Sequence, residues 1–179
     1  MGSEMCIRDR ICTGIAVVII PIVCLYLLQC LLVPKYASDI KEGAMIKEYY
    51  NSEKNHDVLI LGDCEVYENI STVTMWENYG ISSYIRGSAE QLIWQSYYLL
   101  EDTLKYEKPQ VVILNVLAMT ESDAKNEAYN RMTLDGMKLS KYKIASIRES
   151  MTEEENMASY IFPLLRYLSL IHISEPTRP

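Results

Sequence analysis

The sequence predicts an α/β protein in which an N-terminal transmembrane helix precedes a domain built on a parallel β-sheet. One observation is a run of 23 residues near the N terminus that has no charged side chain. Another is that short aliphatic segments alternate with segments of helical periodicity from residue 56 onward. Strands that alternate with helices in this way form right-handed βαβ crossovers, and these produce a parallel sheet.

The composition excludes several classes of protein. The chain has 179 residues, of which 49% are hydrophobic and 23% charged, so long disorder is not expected. The net charge is −7 and no block of Lys or Arg is present, which makes nucleic acid an unsuitable partner. Five Cys is an odd number and does not indicate a closed disulfide framework. Only two His are available for a triad or a metal site, and no pattern for a cofactor is found.

Both ends of the chain have a sequence without periodicity. Residues 1–10 (MGSEMCIRDR) and 169–179 (SLIHISEPTRP) resemble peptides translated from sequencing-adapter DNA. We expect both to be artefacts, so that the natural protein begins before Ile11 and continues beyond Leu168. The alternative is a natural tail at each end. Such segments are set aside when a fold is predicted.

Residues 11–33 (ICTGIAVVIIPIVCLYLLQCLLV) predict a single transmembrane helix. A helix of this length spans ~35 Å, which exceeds the ~30 Å core of a bilayer. A signal peptide is an alternative, but its apolar region is only ~7–15 residues long and ends in small residues, which Leu31–Pro34 lack. A buried core helix is a further alternative, although 23 uncharged residues is long for one. We expect a plasma-membrane anchor.

The orientation of this anchor depends on the charges beside it. Arg8 and Arg10 precede the run but belong to the segment expected to be an artefact, and the lysines that follow are balanced by acids. The charges favour a cytoplasmic N terminus and a domain outside the cytoplasm. Residues 34–55 are polar and predict a short stalk or a lead-in helix. Residues 56–168 form the predicted domain.

The first strand and helix of the domain have clear local signals. Residues 57–61 (DVLIL) predict a strand that is buried on both faces, and Gly62 ends it. Ser71 is a suitable N-cap for a helix over Thr72–Tyr79, and Gly80 is a suitable end. Residues 81–85 predict a second strand, which is weaker.

The remaining elements follow from periodicity. Residues 91–106 predict a helix whose buried stripe is Ile93, Tyr97, Leu100 and Leu104. Pro109 ends this helix, and residues 110–116 (QVVILNV) form the clearest strand in the sequence. Further helices are predicted at about 133–149 and 153–168.

Ligands of open parallel sheets bind outside the carboxyl ends of the strands. Here those positions fall in the loops 62–69, 86–90 and 115–120. The first loop begins with Leu61–Glu65 (LGDCE), which resembles the first block of the SGNH/GDSL hydrolases, where Gly-Asp-Ser follows the first strand. Gly87 and Ser88 resemble the second block. The third block, Gly-x-Asn-Asp, is not matched by the sequence from Asn115, and Asp-x-x-His is absent.

The longer run over residues 56–168 resembles the membrane-anchored SGNH-like proteins of Gram-positive bacteria. The resemblance implies a truncated SGNH domain, a flavodoxin-like three-layer fold whose relatives have about five parallel strands. It further implies an esterase or O-acyltransferase for cell-wall or surface polysaccharide, with Cys64 in the nucleophile position. The backbone N–H groups of Gly87 and Cys64 would donate to the oxyanion, and Asn115 is a weaker candidate. A membrane acyltransferase is an implied partner.

The residues around Cys64 leave a second interpretation open. Asp63, Glu65 and Glu68 would raise the pKa of the thiol, and the first helix is expected to begin several residues downstream. His56 precedes the first strand, so five residues at ~3.3 Å each place it ~17 Å from Cys64. The chain is therefore expected to be inert as it stands. A catalytically inactive scaffold that binds polymer for an acyltransferase is the alternative.

Two smaller questions remain open in the sequence. Asn115 either donates to an oxyanion or forms a turn at the end of its strand. Arg86 either faces an anionic substrate or forms a surface ion pair with Glu65 or Glu90. A flavodoxin-like phosphate binder is disfavoured, because the loop 62–69 is acidic and lacks the glycines that surround a phosphate.

Overall fold

The computed structural model describes residues 2–31, 41–120, 126–162 and 164–165 of the chain. The chain divides into two compact units, and the larger unit lies within Pro34–Ile161. The first described element is the helix α1 (Gly2–Leu31), which has Pro21 in its interior. Its segment Asp9–Leu28 has a mean hydropathy of 2.7 and is long and apolar enough to cross a membrane. Residues 32 and 33 of the predicted anchor lie outside the described residues.

The larger unit is built on a parallel sheet of three strands, β1 (Val58–Gly62), β2 (Ser83–Gly87) and β3 (Val111–Leu114). Their order is β2-β1-β3, and Val58 lies opposite Ser83 on one side and Val111 on the other. Every residue of β1 is buried. The prediction of a parallel sheet with its first strand inside is therefore confirmed.

Helices cover the sheet on both faces. They are α2 (Lys41–Glu48), α3 (Cys64–Asn69), α4 (Thr72–Tyr79), α5 (Ile93–Thr103), α6 (Glu127–Leu134), α7 (Lys141–Ser150) and α8 (Met157–Ile161), with a 3-10 turn at Val116–Met119. Leu59 and Leu61 pack against residues of α2, α5, α6, α7 and α8. Val58 and Ile60 face the other way and pack against Val66 of α3. This alternation follows from the two-residue period of a strand.

The helix α4 has the ends that its sequence predicts. The Ser71 side chain accepts a hydrogen bond from the Thr74 N–H at 3.2 Å, and Gly80 ends the helix with φ +66°. A left-handed φ is costly for residues with a Cβ, so glycine suits this end. Both local signals are confirmed.

The predicted stripe of α5 is wrong at two of its four positions, while Leu100 packs against the core as expected. Tyr97 and Leu104 are exposed, whereas Gln95 and Leu99 are buried. Gln95 faces inward because its side-chain amide donates to Asn130 at 3.2 Å and to Ser150 at 3.0 Å. A buried amide with hydrogen-bond partners can occupy a core position that a hydrophobic pattern assigns to another face.

The single helix predicted at 133–149 is also wrong. The chain forms α6 and α7 instead, with a turn that includes Gly136 between them. Ser140 caps α7 by accepting a hydrogen bond from the Lys143 N–H at 3.2 Å. Of the helix predicted at 153–168, the structure shows α8 and the helical residues 164–165, and residues 163 and 166–168 lie outside the described residues.

Residues before the first strand form a helix that belongs to the domain. Ile46 of α2 and the adjacent Tyr49 are fully buried. The Tyr84 hydroxyl of β2 donates to the Met45 carbonyl at 3.0 Å. Of the two predicted alternatives for residues 34–55, a lead-in helix describes the observed part, and the compact unit begins before residue 56.

The strand β3 lies at the edge of the described sheet. Val111 is 51% exposed, Val112 40% and Leu114 39%. In the part of the chain that the structure describes, no strand pairs with the outer side of β3. The outer side of β3 is therefore an unpaired edge within the described residues.

Candidate functional site

The three predicted loops meet at the carboxyl edge of the sheet. Gly62 lies directly opposite Gly87 in the β1–β2 ladder, and Leu61 lies opposite Leu114 in the β1–β3 ladder. The Asn115 N–H donates to the Leu61 carbonyl at 2.9 Å, so the residue after β3 is held beside the end of β1. The fold therefore places the loop of Cys64 between the ends of β2 and β3.

A hydrogen bond between Asp63 and Asn115 links two of these loops. The Asn115 side-chain amide donates to Asp63 Oδ1 at 2.7 Å, and the same oxygen accepts from the Glu65 N–H at 3.1 Å. The Asn115 side-chain oxygen accepts from the Leu117 N–H at 2.9 Å. Asn115 therefore forms the predicted turn, and both ends of its amide have partners. Its oxyanion role stays a prediction.

Close backbone approach explains the glycines at this edge. Gly62 has φ +153°, and a Cβ built on it would lie 2.6 Å from Asn115 Cβ. A Cβ on Gly87 would lie 2.7 Å from Val66 Cγ2 and 3.0 Å from the Gly62 carbonyl oxygen. Real Cβ atoms do not approach other atoms so closely. Glycine at both positions thus permits the strand ends and α3 to pack together.

The β1–β2 ladder also fixes the direction of the N–H groups on β2. The Val58 N–H donates to the Ser82 carbonyl, and the Ser88 N–H donates to the Gly62 carbonyl at 3.4 Å. Alternate residues of a strand direct their N–H groups to opposite sides. The N–H of Gly87 therefore points away from β1, a direction that does not favour the donor role implied for Gly87. That role stays a prediction.

Cys64 is the first residue of α3 and is half-buried. The expectation that the first helix begins several residues downstream is therefore wrong: Asp63 caps a helix that starts at Cys64 itself. Burial raises the pKa of the Cys64 thiol above its ordinary value, and the charges of Asp63 and Glu68 raise it further. The expected direction of the shift is confirmed, and the thiol is protonated at neutral pH.

His56 lies before the start of β1, at the opposite end of this strand from Cys64. Its ring Nδ1 lies 3.0 Å from the Glu107 carboxylate, which also accepts a hydrogen bond from the backbone N–H of His56 at 3.0 Å. The Tyr49 hydroxyl donates to the same carboxylate at 2.8 Å. Among the described residues, no histidine is placed to act as a base for Cys64.

Both sequence interpretations of Arg86 are wrong. Its side chain is fully buried and forms an ion pair with Asp102 at 3.4 Å, not with Glu65 or Glu90. The guanidinium also donates to the Thr103 hydroxyl at 2.8 Å and lies 4.3 Å from the Tyr49 ring centroid. Arg86 therefore connects β2 to α5 and to the segment after α2, and it does not face a ligand at the carboxyl edge.

Sequence reasoning missed the role of Asp63 as the partner of Asn115. One sequence signal could have found Asp63: Asp is a frequent N-cap, and Asp63 caps the six-residue helix α3. It could not identify Asn115 as a partner 52 residues away. Comparisons with protein-family models, curated proteins and solved structures find no match to this chain. Function is therefore inferred from the residues and their geometry.

Proposed function

We propose that this chain is a membrane-anchored SGNH-like protein whose domain acts outside the cytoplasm on acyl esters of cell-wall or surface polysaccharide, as an esterase or O-acyltransferase. The supporting observation is the meeting of Gly62, Cys64 and Gly87 at the carboxyl edge of a parallel sheet. Ligands of such sheets bind at this edge. Cys64 stands where the SGNH hydrolases have their nucleophilic serine. The apolar helix α1 supports the proposed anchor.

The proposed chemistry is nucleophilic acyl transfer. The Cys64 sulfur attacks the ester carbonyl, the sugar oxygen leaves with a proton, and a thioester forms on the enzyme. Water completes hydrolysis, or the hydroxyl of a second sugar accepts the acyl group. The Cys64 N–H has no acceptor within its own helix, because it is among the first four, and it is the proposed oxyanion donor. The hydrogen bond between Asp63 and Asn115 holds this turn in place.

This chemistry requires a base that the described residues do not supply. The thiol of Cys64 has a raised pKa, and His56 is paired with Glu107. A base therefore has to come from residues outside those described or from a partner protein. Loss of a triad base can lower a rate by several orders of magnitude.

The raised pKa of the Cys64 thiol favours a second candidate function. A protonated thiol in an acidic turn is a poor nucleophile. The domain would then be a catalytically inactive scaffold that binds the polymer at the carboxyl edge and presents it to a membrane acyltransferase. The two candidates share the binding site and differ in the role of the Cys64 sulfur.

An experiment with the full chain in nanodiscs separates these candidates. Binding of an O-acetylated polysaccharide, and release of acetate with imidazole added as an external base, are measured for the wild type, Cys64→Ala and Cys64→Ser. Acetate release that Cys64→Ala abolishes and Cys64→Ser partly retains supports the esterase. Equal binding by all three without release supports the scaffold. Absence of both binding and release would contradict the proposed site.

A further inference from the structure

Lysine and tyrosine side chains form one continuous surface on the larger unit. Lys105 Nζ lies 4.5 Å from the ring centroid of Tyr142 and 5.7 Å from that of Tyr106. Lys141 Nζ lies 4.9 Å from the Tyr142 centroid. The ring centroids of Tyr106 and Tyr50 are 5.9 Å apart, and Lys138 Nζ lies 4.8 Å from the Tyr50 centroid. We call these six residues the lysine–tyrosine surface.

This surface is cationic although the whole chain carries a net charge of −7. Lys105 forms an ion pair with Asp102 at 2.7 Å, and Asp102 is buried against Arg86. The single negative charge of Asp102 is therefore shared between two cations, Lys105 and Arg86. Among the described residues, no carboxylate forms an ion pair with Lys138 or Lys141, and both lysines are exposed. The positive charge faces solvent.

Exposed apolar side chains accompany these lysines. Leu139 is 66% exposed between Lys138 and Lys141, and Leu104 is 43% exposed beside Lys105. Tyr106 is 44% exposed, and Ile144 on the same helix as Lys141 is 41% exposed. Lysine, tyrosine and leucine exposed at neighbouring positions of the chain are the combination found at membrane interfaces, where cations meet headgroups and apolar groups enter the acyl boundary.

We propose that the lysine–tyrosine surface docks on an anionic lipid bilayer. Charge complementarity favours an anionic partner, and the exposed leucines favour a bilayer over a soluble polyanion, which has no apolar phase to receive them. The candidate span α1 precedes Tyr50 closely in the chain. A tether of this kind raises the effective concentration of the domain at the bilayer, so that a weak surface contact becomes populated. This proposal does not depend on the proposed acyl-ester chemistry.

The contribution of each lysine sets the size of the expected effect. A lysine close to an anionic membrane surface changes the docking equilibrium by about fivefold. Removal of the charges of Lys138 and Lys141 should thus shift the equilibrium by about 25-fold toward the undocked state. Salt should weaken docking, because the interaction is screened within a Debye length of about 8 Å at physiological ionic strength.

The experiment measures backbone hydrogen exchange of the full chain in nanodiscs of phosphatidylcholine, with and without phosphatidylglycerol. We expect slower exchange in segments 104–108 and 138–144 when phosphatidylglycerol is present, and loss of this difference in the Lys138→Gln/Lys141→Gln variant. The Lys138→Arg/Lys141→Arg variant keeps the charges and should retain the difference. Exchange in β1 reports whether each variant is folded.

Three results would contradict the proposal. One is equal exchange of both segments in the two kinds of nanodisc while β1 stays protected. Another is protection in neutral nanodiscs on addition of a soluble polyanion, together with no response to phosphatidylglycerol. The second result would identify the surface as a binding site for an anionic polymer. A difference that the Gln variant leaves unchanged also contradicts the assigned residues.

Discussion

Gly62 and Gly87 show most directly how single residues shape the candidate site. Each leaves room for a neighbour that a Cβ would displace: Asn115 beside Gly62, and Val66 beside Gly87. Gly62 has in addition a φ of +153°, which residues with a side chain rarely adopt. The two glycines therefore differ, because only one of them combines steric crowding with a restricted backbone conformation.

Alanine substitutions test this difference. We expect Gly87→Ala to lower the free energy of unfolding by about 1–3 kcal/mol through overpacking. Gly62→Ala should cost more, because backbone strain of about 1–3 kcal/mol adds to the clash. Gly80→Ala is the matched control: its φ is +66°, and nothing lies within 4 Å of the added Cβ. Urea unfolding that gives Gly62→Ala a smaller loss than Gly80→Ala would contradict the described packing.

The raised pKa of Cys64 predicts slow alkylation near neutral pH. Because burial and the charge of Asp63 disfavour the thiolate, its fraction stays small until the pH exceeds the ordinary value of a cysteine. Glu68→Gln removes one of the negative charges and should speed alkylation at a given pH. Iodoacetamide labelling of the Cys64 peptide, followed by mass spectrometry across pH, measures this. A thiol that reacts faster than a free cysteine at pH 7 would show that an activating group was missed.

At the scale of elements, Glu107 connects the segment that follows α2 to the start of β1. Burial alone would raise the pKa of this carboxyl, but hydrogen bonds from His56 and Tyr49 outweigh burial and hold it below its ordinary value. A carboxyl with a depressed pKa stabilises the fold above its unfolded value of 4.5, and the contribution is lost as the pH falls through the lower folded value.

The corresponding prediction concerns acid unfolding. Glu107→Gln should lower the free energy of unfolding at pH 7 and make it less dependent on pH below 4.5. Tyr49→Phe removes one of the hydrogen bonds and should have a smaller effect in the same direction. Unfolding by urea at several pH values provides the comparison. Parallel curves for Glu107→Gln and the wild type would mean that this carboxyl does not contribute.

The exposed strand β3 predicts self-association. Its outer backbone groups have no strand partner in the described part of the chain, and it contains no charged residue to discourage pairing. Val111→Lys should therefore reduce association at high protein concentration. Val73→Lys places the same charge on α4, at a position that is 62% exposed, and should have less effect. Light scattering of both variants in nanodiscs distinguishes association through the β3 edge from a general effect of the added charge.

Elements with local signals could be predicted from the sequence, whereas buried polar contacts could not. Ser71 and Gly80 specify the ends of α4 through their own side chain and backbone. The inward face of α5 depends instead on hydrogen bonds from Gln95 to Asn130 and Ser150, which are distant in sequence. Arg86 was misplaced for the same reason, since its partner Asp102 becomes apparent only when β2 and α5 pack together.

For the whole molecule, the aliphatic runs were sufficient to predict the parallel sheet and its central strand. The carboxyl edge followed from that topology, so the neighbourhood of Gly62, Gly87 and Asn115 could be anticipated. The contact between Asp63 and Asn115 at the start of α3 could not, because the two residues are 52 positions apart in the chain. The lysine–tyrosine surface also escaped detection, since its residues come from three separate parts of the chain.

We propose that Cys64 occupies a nucleophile position, and no base for it lies among the described residues. Ester hydrolysis by the full chain in nanodiscs, with and without added imidazole as an external base, tests it most directly. With Cys64→Ala as the reference, we predict no Cys64-dependent rate without imidazole and a Cys64-dependent increase with it. Rapid hydrolysis without imidazole that Cys64→Ala abolishes would contradict this prediction, because it would show that a base already serves Cys64.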